Sequence, residues 1–258
     1  MPELPEVETL CRQLATVIPG KKIIKSEVLD PLLGEVAGLA GRRIAAVARR
    51  GKAIEIRLDK ATVEIHLRMT GRLLWQTAAG PLPPHTRMVV SFPSGRLLLI
   101  DPRRFATFRV GPEAPCAAHI ENPLEGLPAG RLREIARTRR LPVKNFLMDQ
   151  RLVAGIGNIY ACEILHEAGI DPRRPAGSLS PAEWRRVEKA AALVLSRAVE
   201  CRGTTVSDWR DLFGAAGANQ EHLRVYAREG GACPRCGGTI AREVLGGRGT
   251  WFCPSCQG

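Results

Sequence analysis

The sequence predicts an α+β multidomain protein: an N-terminal helix plus β-sandwich, then a helical domain, then a C-terminal zinc finger. Three observations carry that reading. At 258 residues the chain exceeds the usual size of one domain. Its apolar period changes from two residues to that of a helix across a Pro/Gly-rich stretch at 111–130. Its end holds two Cys-x-x-Cys pairs. The expected domains are therefore 1–112, a linker at 113–130, a helical domain at 131–222 and a zinc module at 223–258.

Each element has its own warrant. Residues 2–18 put Val7, Leu10, Cys11, Leu14, Val17 and Ile18 on one helical stripe, which Pro19-Gly20 ends. Alternation at Ile54, Ile56 and Leu58, then at Val63, Ile65 and Leu67, predicts two strands. Further strands are expected at 22–29, 42–48, 72–76, 87–92, 96–100 and 105–110. So many short strands after one helix fit a sandwich or a barrel. Helices are expected at 131–138, 142–149, 159–168 and 181–201. Ser180-Pro181-Ala182-Glu183 opens the last with a Ser cap, Pro at the first position and Glu at the third. Residues 203–222 read as loop with a short helix, and 239–252 as a hairpin turning near Gly246-Gly247.

Composition narrows the partners. Apolar content of 45% is ordinary for a soluble protein. The chain has neither an apolar run of bilayer length nor a signal-peptide pattern, so the expected location is cytoplasmic. Lys+Arg number 38 against 26 Asp+Glu, and the +12 charge suits a polyanion, most simply nucleic acid. Among eight cysteines, Cys11, Cys116, Cys162 and Cys201 stand alone and read as ordinary thiols. Cys233, Cys236, Cys253 and Cys256 form two pairs separated by 16 residues, the spacing of a tetrahedral structural site for one Zn²⁺. Disulfides are disfavoured for such a set in a cytosolic chain.

Two segments carry chemistry. Removal of Met1 would leave Pro2 as a secondary amine, and an α-amino group with a pKa of about 7.7–8 is partly neutral at pH 7. Such an amine can attack an electrophilic carbon and form an iminium, with Glu3 beside it to move a proton. On this segment alone, the first turn of a helix whose dipole Glu3, Glu6 and Glu8 favour is the better reading of Pro2, and the rest of the chain reverses that. At 149–160, Gly155 and Gly157 permit a tight turn between helices, and Asn158 reads as the N-cap of the second. The helix N–H groups there suit a phosphate. A dinucleotide fingerprint is excluded, because no strand precedes and the third glycine is absent.

Seven motifs in order resemble the formamidopyrimidine-DNA glycosylase/endonuclease VIII family along the whole chain. They are Pro2-Glu3-Leu4-Pro5-Glu6-Val7-Glu8, Arg49-Arg50-Gly51-Lys52, His66-Leu67-Arg68-Met69-Thr70-Gly71, Asp101-Pro102-Arg103-Arg104-Phe105, the 154–160 turn, Val225-Tyr226 and the terminal cysteines. The resemblance implies a β-sandwich, a helix–two-turns–helix domain and a zinc finger, with damaged double-stranded DNA in a cleft and the protein acting as a monomer. It implies that Pro2 attacks C1′ of a damaged nucleoside to give the Schiff base while Glu3 handles the proton at the sugar ring oxygen. Lys52 would assist at a phosphate and in β-elimination, and Arg248 would favour δ-elimination. Met69, Arg103 and Phe105 match the residues that fill the void left by a flipped base, whose removal from the stack costs a few kcal/mol. His66, His85, Arg139, Lys144 and Asn158 match phosphate contacts, and Arg103 also meets DNA.

The sequence departs from the family pattern at three places. Arg68 stands where Gly is usual, Ala106 replaces a Gly, and the loop at 213–221 has Gly217-Ala218-Asn219-Gln220 in place of aromatics. The expected activity is a bifunctional DNA glycosylase/AP lyase of base-excision repair acting on 8-oxoguanine and formamidopyrimidines. An oxidised-pyrimidine glycosylase is the near alternative, and a non-catalytic damage-binding protein the distant one. An RNA- or ribosome-associated protein would share only the helical turn and the charge.

Overall fold

Helix α1 (Leu4–Val17) begins where Glu3 and Glu6 close a capping box, the Glu3 N–H donating to Glu6 Oε2 at 2.8 Å. Pro5 follows in the first turn, where a missing N–H costs nothing. The computed structural model describes residues 2–34, 36–77, 80–112, 122–124, 126–206 and 208–258. Met1, Cys116 and much of the expected 113–130 linker lie outside the described residues.

The chain divides into two units, Met1–Cys116 with Cys201–Gln220, and Ala117–Glu200 with Glu221–Gly258. In the first, strands β1 (Lys25–Val28), β2 (Ile44–Arg50), β3 (Ala53–Leu58), β4 (Thr62–His66), β5 (Arg72–Gln76), β6 (Thr86–Phe92), β7 (Gly95–Ile100) and β8 (Thr107–Gly111) follow α1. They form two antiparallel sheets, ordered β1-β6-β7-β5 and β2-β3-β4-β8. Alternate residues of both sheets join α1 in one core: Leu10 and Leu14 with Ile54, Ile65, Trp75, Val90 and Leu99. Each such side chain contributes on the order of 1.5–3 kcal/mol by leaving water. The sandwich expected from period-two alternation is present.

The second unit contains α2 (Ala129–Ala136), α3 (Val143–Met148), α4 (Asn158–Ala168), α5 (Pro181–Glu200) and the hairpin β9 (Ala241–Leu245) and β10 (Arg248–Phe252). Helix α4 is buried nearly all round, with Tyr160, Ile164 and Leu165 out of water beside the polar Glu163 and His166. Phe146 of α3 meets Trp184 of α5 edge-on at 5.5 Å. Ser180 caps α5 as expected: its Oγ accepts the Glu183 N–H at 3.3 Å, and its own N–H donates to Glu183 Oε2 at 2.7 Å.

One boundary differs from the sequence expectation. Residues Cys201–Gln220, grouped above with the helical domain, pack within the first unit. Glu6 Oε1 accepts the Thr204 N–H at 2.7 Å, and Gln13 Oε1 accepts the Leu212 N–H at 2.9 Å, so α1 holds this segment. Among the described residues, no helix is long and apolar enough to cross a membrane.

Candidate active site and nucleic-acid interface

Pro2 and Glu3 are buried ahead of α1, with Glu3 at the N-cap in extended conformation. Pro2 thus precedes the helix rather than starting it. Glu6 links Glu3 to the 201–220 segment, since one of its oxygens accepts from the Glu3 backbone and the other from Thr204. The three-residue spacing of Glu3 and Glu6 is the signal that sequence reading could have used for this bridge.

Lys52 lies in the two-residue turn between β2 and β3, where Gly51 supplies a φ of +58°. Arg49, nearly buried, ties that turn to α1. Its Nε donates to Glu8 Oε2 at 2.9 Å and its Nη1 to the Gly51 carbonyl at 3.1 Å. Burial pushes the Glu8 carboxyl up, but the hydrogen bonds and charges of Arg12 and Arg49 outweigh it and leave the pKa lowered. Arg49 and Glu8 both lie in motifs quoted above, but nothing in the sequence pairs them across 41 residues.

Two loops carry the expected void-filling residues. Met69 is 49% and Phe105 48% exposed, high values for apolar side chains of that size. The Arg103 guanidinium stacks 4.6 Å over the Phe105 ring and points Nη1 at Met69 Sδ, 3.6 Å away. Asp101 joins the loops: it accepts from Thr70 Oγ1 at 2.6 Å and from the backbone N–H groups of Arg103 and Ala106 at 3.2 and 2.7 Å. Asp30 pins the second loop by accepting from both Arg104 and Arg87, which hold its carboxyl well below the usual range against burial.

The departures from the family pattern find physical accounts here. Arg68 has a φ of +56°, a left-handed conformation that costs a non-glycine residue roughly 1–2 kcal/mol, which explains why glycine suits the position. Its N–H donates to His66 Nδ1 at 3.0 Å. The methyl of Ala106 faces Gly71, where an added Cβ would come within 2.9 Å of it and within 2.4 Å of the Leu67 carbonyl. The loops therefore meet at a glycine–alanine contact.

His66 is half-buried. Desolvation first, then the charges of Arg68 and Lys52, push its pKa down to about 4. With Nδ1 accepting, the neutral ring carries its proton on Nε2, available to an acceptor. His85 is exposed at a φ of +63°, and its carbonyl accepts the Asp101 N–H at 3.0 Å.

In the second unit, two expectations are corrected. Lys144, expected to meet a phosphate, is fully buried; its ammonium donates to the Gly249 carbonyl at 3.1 Å and to Thr250 Oγ1 at 2.7 Å. Asn158 is not the N-cap of α4 but its first residue, because Gly157 is the extended residue that enters the helix. The Asn158 Nδ2 donates to the same Gly249 carbonyl at 3.0 Å. Lys144 and Asn158 thus both hold the β9–β10 hairpin, whose Gly246-Gly247 turn has φ values of +57° and +74°. Arg248 follows that turn and is exposed, as is Arg139.

The four cysteine sulfurs of the finger lie within 4.8 Å of one another. Two separations, 3.8 Å for Cys233–Cys256 and 3.5 Å for Cys236–Cys253, are near the ~3.8 Å edge of a tetrahedron with Zn–S bonds of about 2.3 Å. His166, missed by sequence reading, is buried with Nε2 at 3.3 Å from Cys233 Sγ, a contact that would orient that ligand. Glu163, also missed, is buried on α4 and accepts the N–H groups of Arg224, Val225 and Tyr226 at 2.8–3.0 Å.

The loop at 213–221 is tied to Thr205 and to itself. Gln220 Oε1 accepts the Thr205 N–H at 2.9 Å, Thr205 Oγ1 accepts the Gly217 N–H at 2.9 Å, and Gln220 Nε2 donates to the Gly217 carbonyl at 2.8 Å. A Cβ on Gly217 would lie 2.2 Å from the Gly203 carbonyl oxygen, so glycine is required.

Comparison with known proteins agrees with this geometry. Residues 1–108 match the family model of the formamidopyrimidine-DNA glycosylase N-terminal domain, residues 124–209 that of the formamidopyrimidine-DNA glycosylase H2TH domain, and residues 230–258 the zinc finger found in FPG and IleRS. The formamidopyrimidine-DNA glycosylase of Moorella thermoacetica is 46% identical over 94% of each chain. That of a Roseiflexus species is 41% identical over 100% of each. Among solved structures, a Lactococcus lactis FPG mutant in complex with Fapy-dG-containing DNA superposes with a TM-score of 0.92 at 32% identity, covering 99% of each chain. The same bacterium's enzyme with abasic-site DNA gives 0.91 at 32%, again over 99% of each.

Proposed function

Since the chain belongs to the formamidopyrimidine-DNA glycosylase family, and so is a zinc-holding DNA glycosylase and AP lyase of base-excision repair, we propose that it removes oxidised purines through a Pro2 Schiff base. What supports this reading above all is the position of Pro2: it precedes the helix that Glu3 caps, so its nitrogen is outside the helical turn. Removal of Met1 leaves that nitrogen a secondary amine. It attacks C1′, the damaged base departs with the bonding electrons, and the sugar ring opens as Glu3 supplies the proton to the ring oxygen. The iminium then acts as the electron sink for β-elimination, assisted by Lys52 beside a phosphate. Arg248 holds the phosphate whose departure completes δ-elimination.

The remaining residues have matching tasks. Met69, Arg103 and Phe105 fill the void left by the flipped nucleoside, with Asp101 keeping their two loops in register. Neutral His66, with exposed His85 and Arg139, contacts phosphates, and Asn158 lies at the helix start where a phosphate would meet backbone N–H groups. Lys144 acts indirectly, by holding the hairpin that presents Arg248. The protein works as a monomer on damaged duplex DNA in the cytoplasm, at the nucleoid.

One observation favours a second specificity. The 217–220 segment brings no aromatic over a flipped base, and the similar Lactococcus lactis enzyme has been solved with oxidised-pyrimidine DNA. Single-turnover excision on duplexes carrying 8-oxoguanine opposite cytosine, or 5-hydroxyuracil, decides between them. Faster excision of 8-oxoguanine, by about tenfold or more, is expected; the reverse order would assign the chain to pyrimidine lesions.

A further inference from the structure

His166 has no part in the roles above. The ring is fully buried in the last turn of α4, and its Nδ1 is buried without a hydrogen-bond partner among the described residues. A phenyl ring would fill much the same space without that orphaned nitrogen, so the imidazole needs a reason in its other nitrogen. That nitrogen, Nε2, lies 3.3 Å from Cys233 Sγ and 4.0 Å from Cys256 Sγ.

The neighbours decide where the ring carries its proton. A cysteine that holds zinc is a thiolate, which only accepts. With the proton on Nδ1, the ring would bury an unmade donor and turn the Nε2 lone pair on the sulfur. With the proton on Nε2, it makes an N–H···S bond and leaves only an acceptor unmatched. Four thiolates around one Zn²⁺ carry excess negative charge, and a donor aimed at one of them offsets part of it. The finger is also held in place on this end of α4. Arg235 Nη2 donates to the Glu167 carbonyl at 2.8 Å, and Gln257 accepts the Cys253 N–H at 2.8 Å while donating to the Ile170 carbonyl at 2.9 Å. All these groups belong to the second unit, and His166 reaches its sulfur from 67 residues away.

We propose that His166 is a positioning residue of the zinc site, its Nε2–H donating to the Cys233 thiolate and slowing loss of the metal. The inference goes beyond the glycosylase reading and depends on neither the lesion nor the Pro2 chemistry. It is tested on the zinc-loaded full chain by following zinc release to the chelator pyridylazoresorcinol, for wild type, His166→Phe and His166→Gln. Phe keeps a ring but no donor, whereas the Gln amide nitrogen can take the place of Nε2. His166→Phe should release zinc about tenfold faster, and His166→Gln should stay close to the wild-type rate. A packing role predicts the opposite order, so Gln releasing zinc as fast as Phe or faster, or wild-type rates in both, would overturn the proposal. Nitrogen NMR of the imidazole in the zinc-loaded wild type checks the same bond without a substitution. A protonated Nε2 is expected, and an unprotonated Nε2 would overturn it.

Discussion

The two units use their basic and polar residues in opposite ways. In the first, Arg68, Arg103 and the apolar Met69 and Phe105 stand in solvent on loops whose backbone is held by Asp101 and by His66. In the second, Lys144 is fully buried and Asn158 half-buried, and both are bonded to the Gly249 carbonyl of the zinc hairpin. On the proposed reading, the exposed residues on the first unit's loops are the ones that meet DNA. Lys144 and Asn158 are arranged to hold something already there, the hairpin that bears Arg248. Family position alone does not separate these duties; burial does.

The largest expected effect tests the second half of that contrast. Lys144→Met keeps the volume but leaves the Gly249 carbonyl and Thr250 hydroxyl without their ammonium donor, so the second unit should lose about 1–3 kcal/mol. Denaturant titration reads that loss, and δ-elimination should slow with it while DNA affinity keeps its salt slope. A flatter slope at full stability would return Lys144 to the phosphate contacts.

A smaller effect sharpens the first half. His66 has a folded-state pKa of about 4 against an ordinary value near 6.5. The unfolded chain therefore takes up the proton first as pH falls. The contribution of this ring to stability is unpenalised above about pH 6.5 and is lost progressively as pH drops towards 4. NMR titration of the imidazole nitrogens should show the Nε2–H tautomer and a midpoint near 4. A midpoint near 6.5, or an Nδ1–H ring, would dissolve the link between His66 and Arg68.

Much of this architecture was legible in the sequence because its signals are local. Strands β3 and β4 follow from the alternation of Ile54, Ile56, Val63 and Ile65, and the start of α5 from Ser180 to Glu183. The zinc site follows from the spacing of four cysteines. Other features depend on partners far apart in the chain. Nothing near Asp101 announces Thr70, 31 residues away, and nothing near Lys144 announces Thr250, 106 residues away. In sequence the 201–220 segment reads with the helices it follows, yet Glu6 and Gln13 bind it to α1. Asn158 reads as a cap because Asn is a good one, but the extended backbone belongs to Gly157.

The measurement that bears most directly on the whole account is borohydride trapping on a duplex containing an abasic site, followed by mass spectrometry of the adduct. The account predicts a covalent complex on the Pro2 nitrogen of chains that have lost Met1, absent from Pro2→Gly under single-turnover conditions or formed far more slowly. An adduct on Lys52 or another lysine, or DNA binding without any trapped complex, would contradict it.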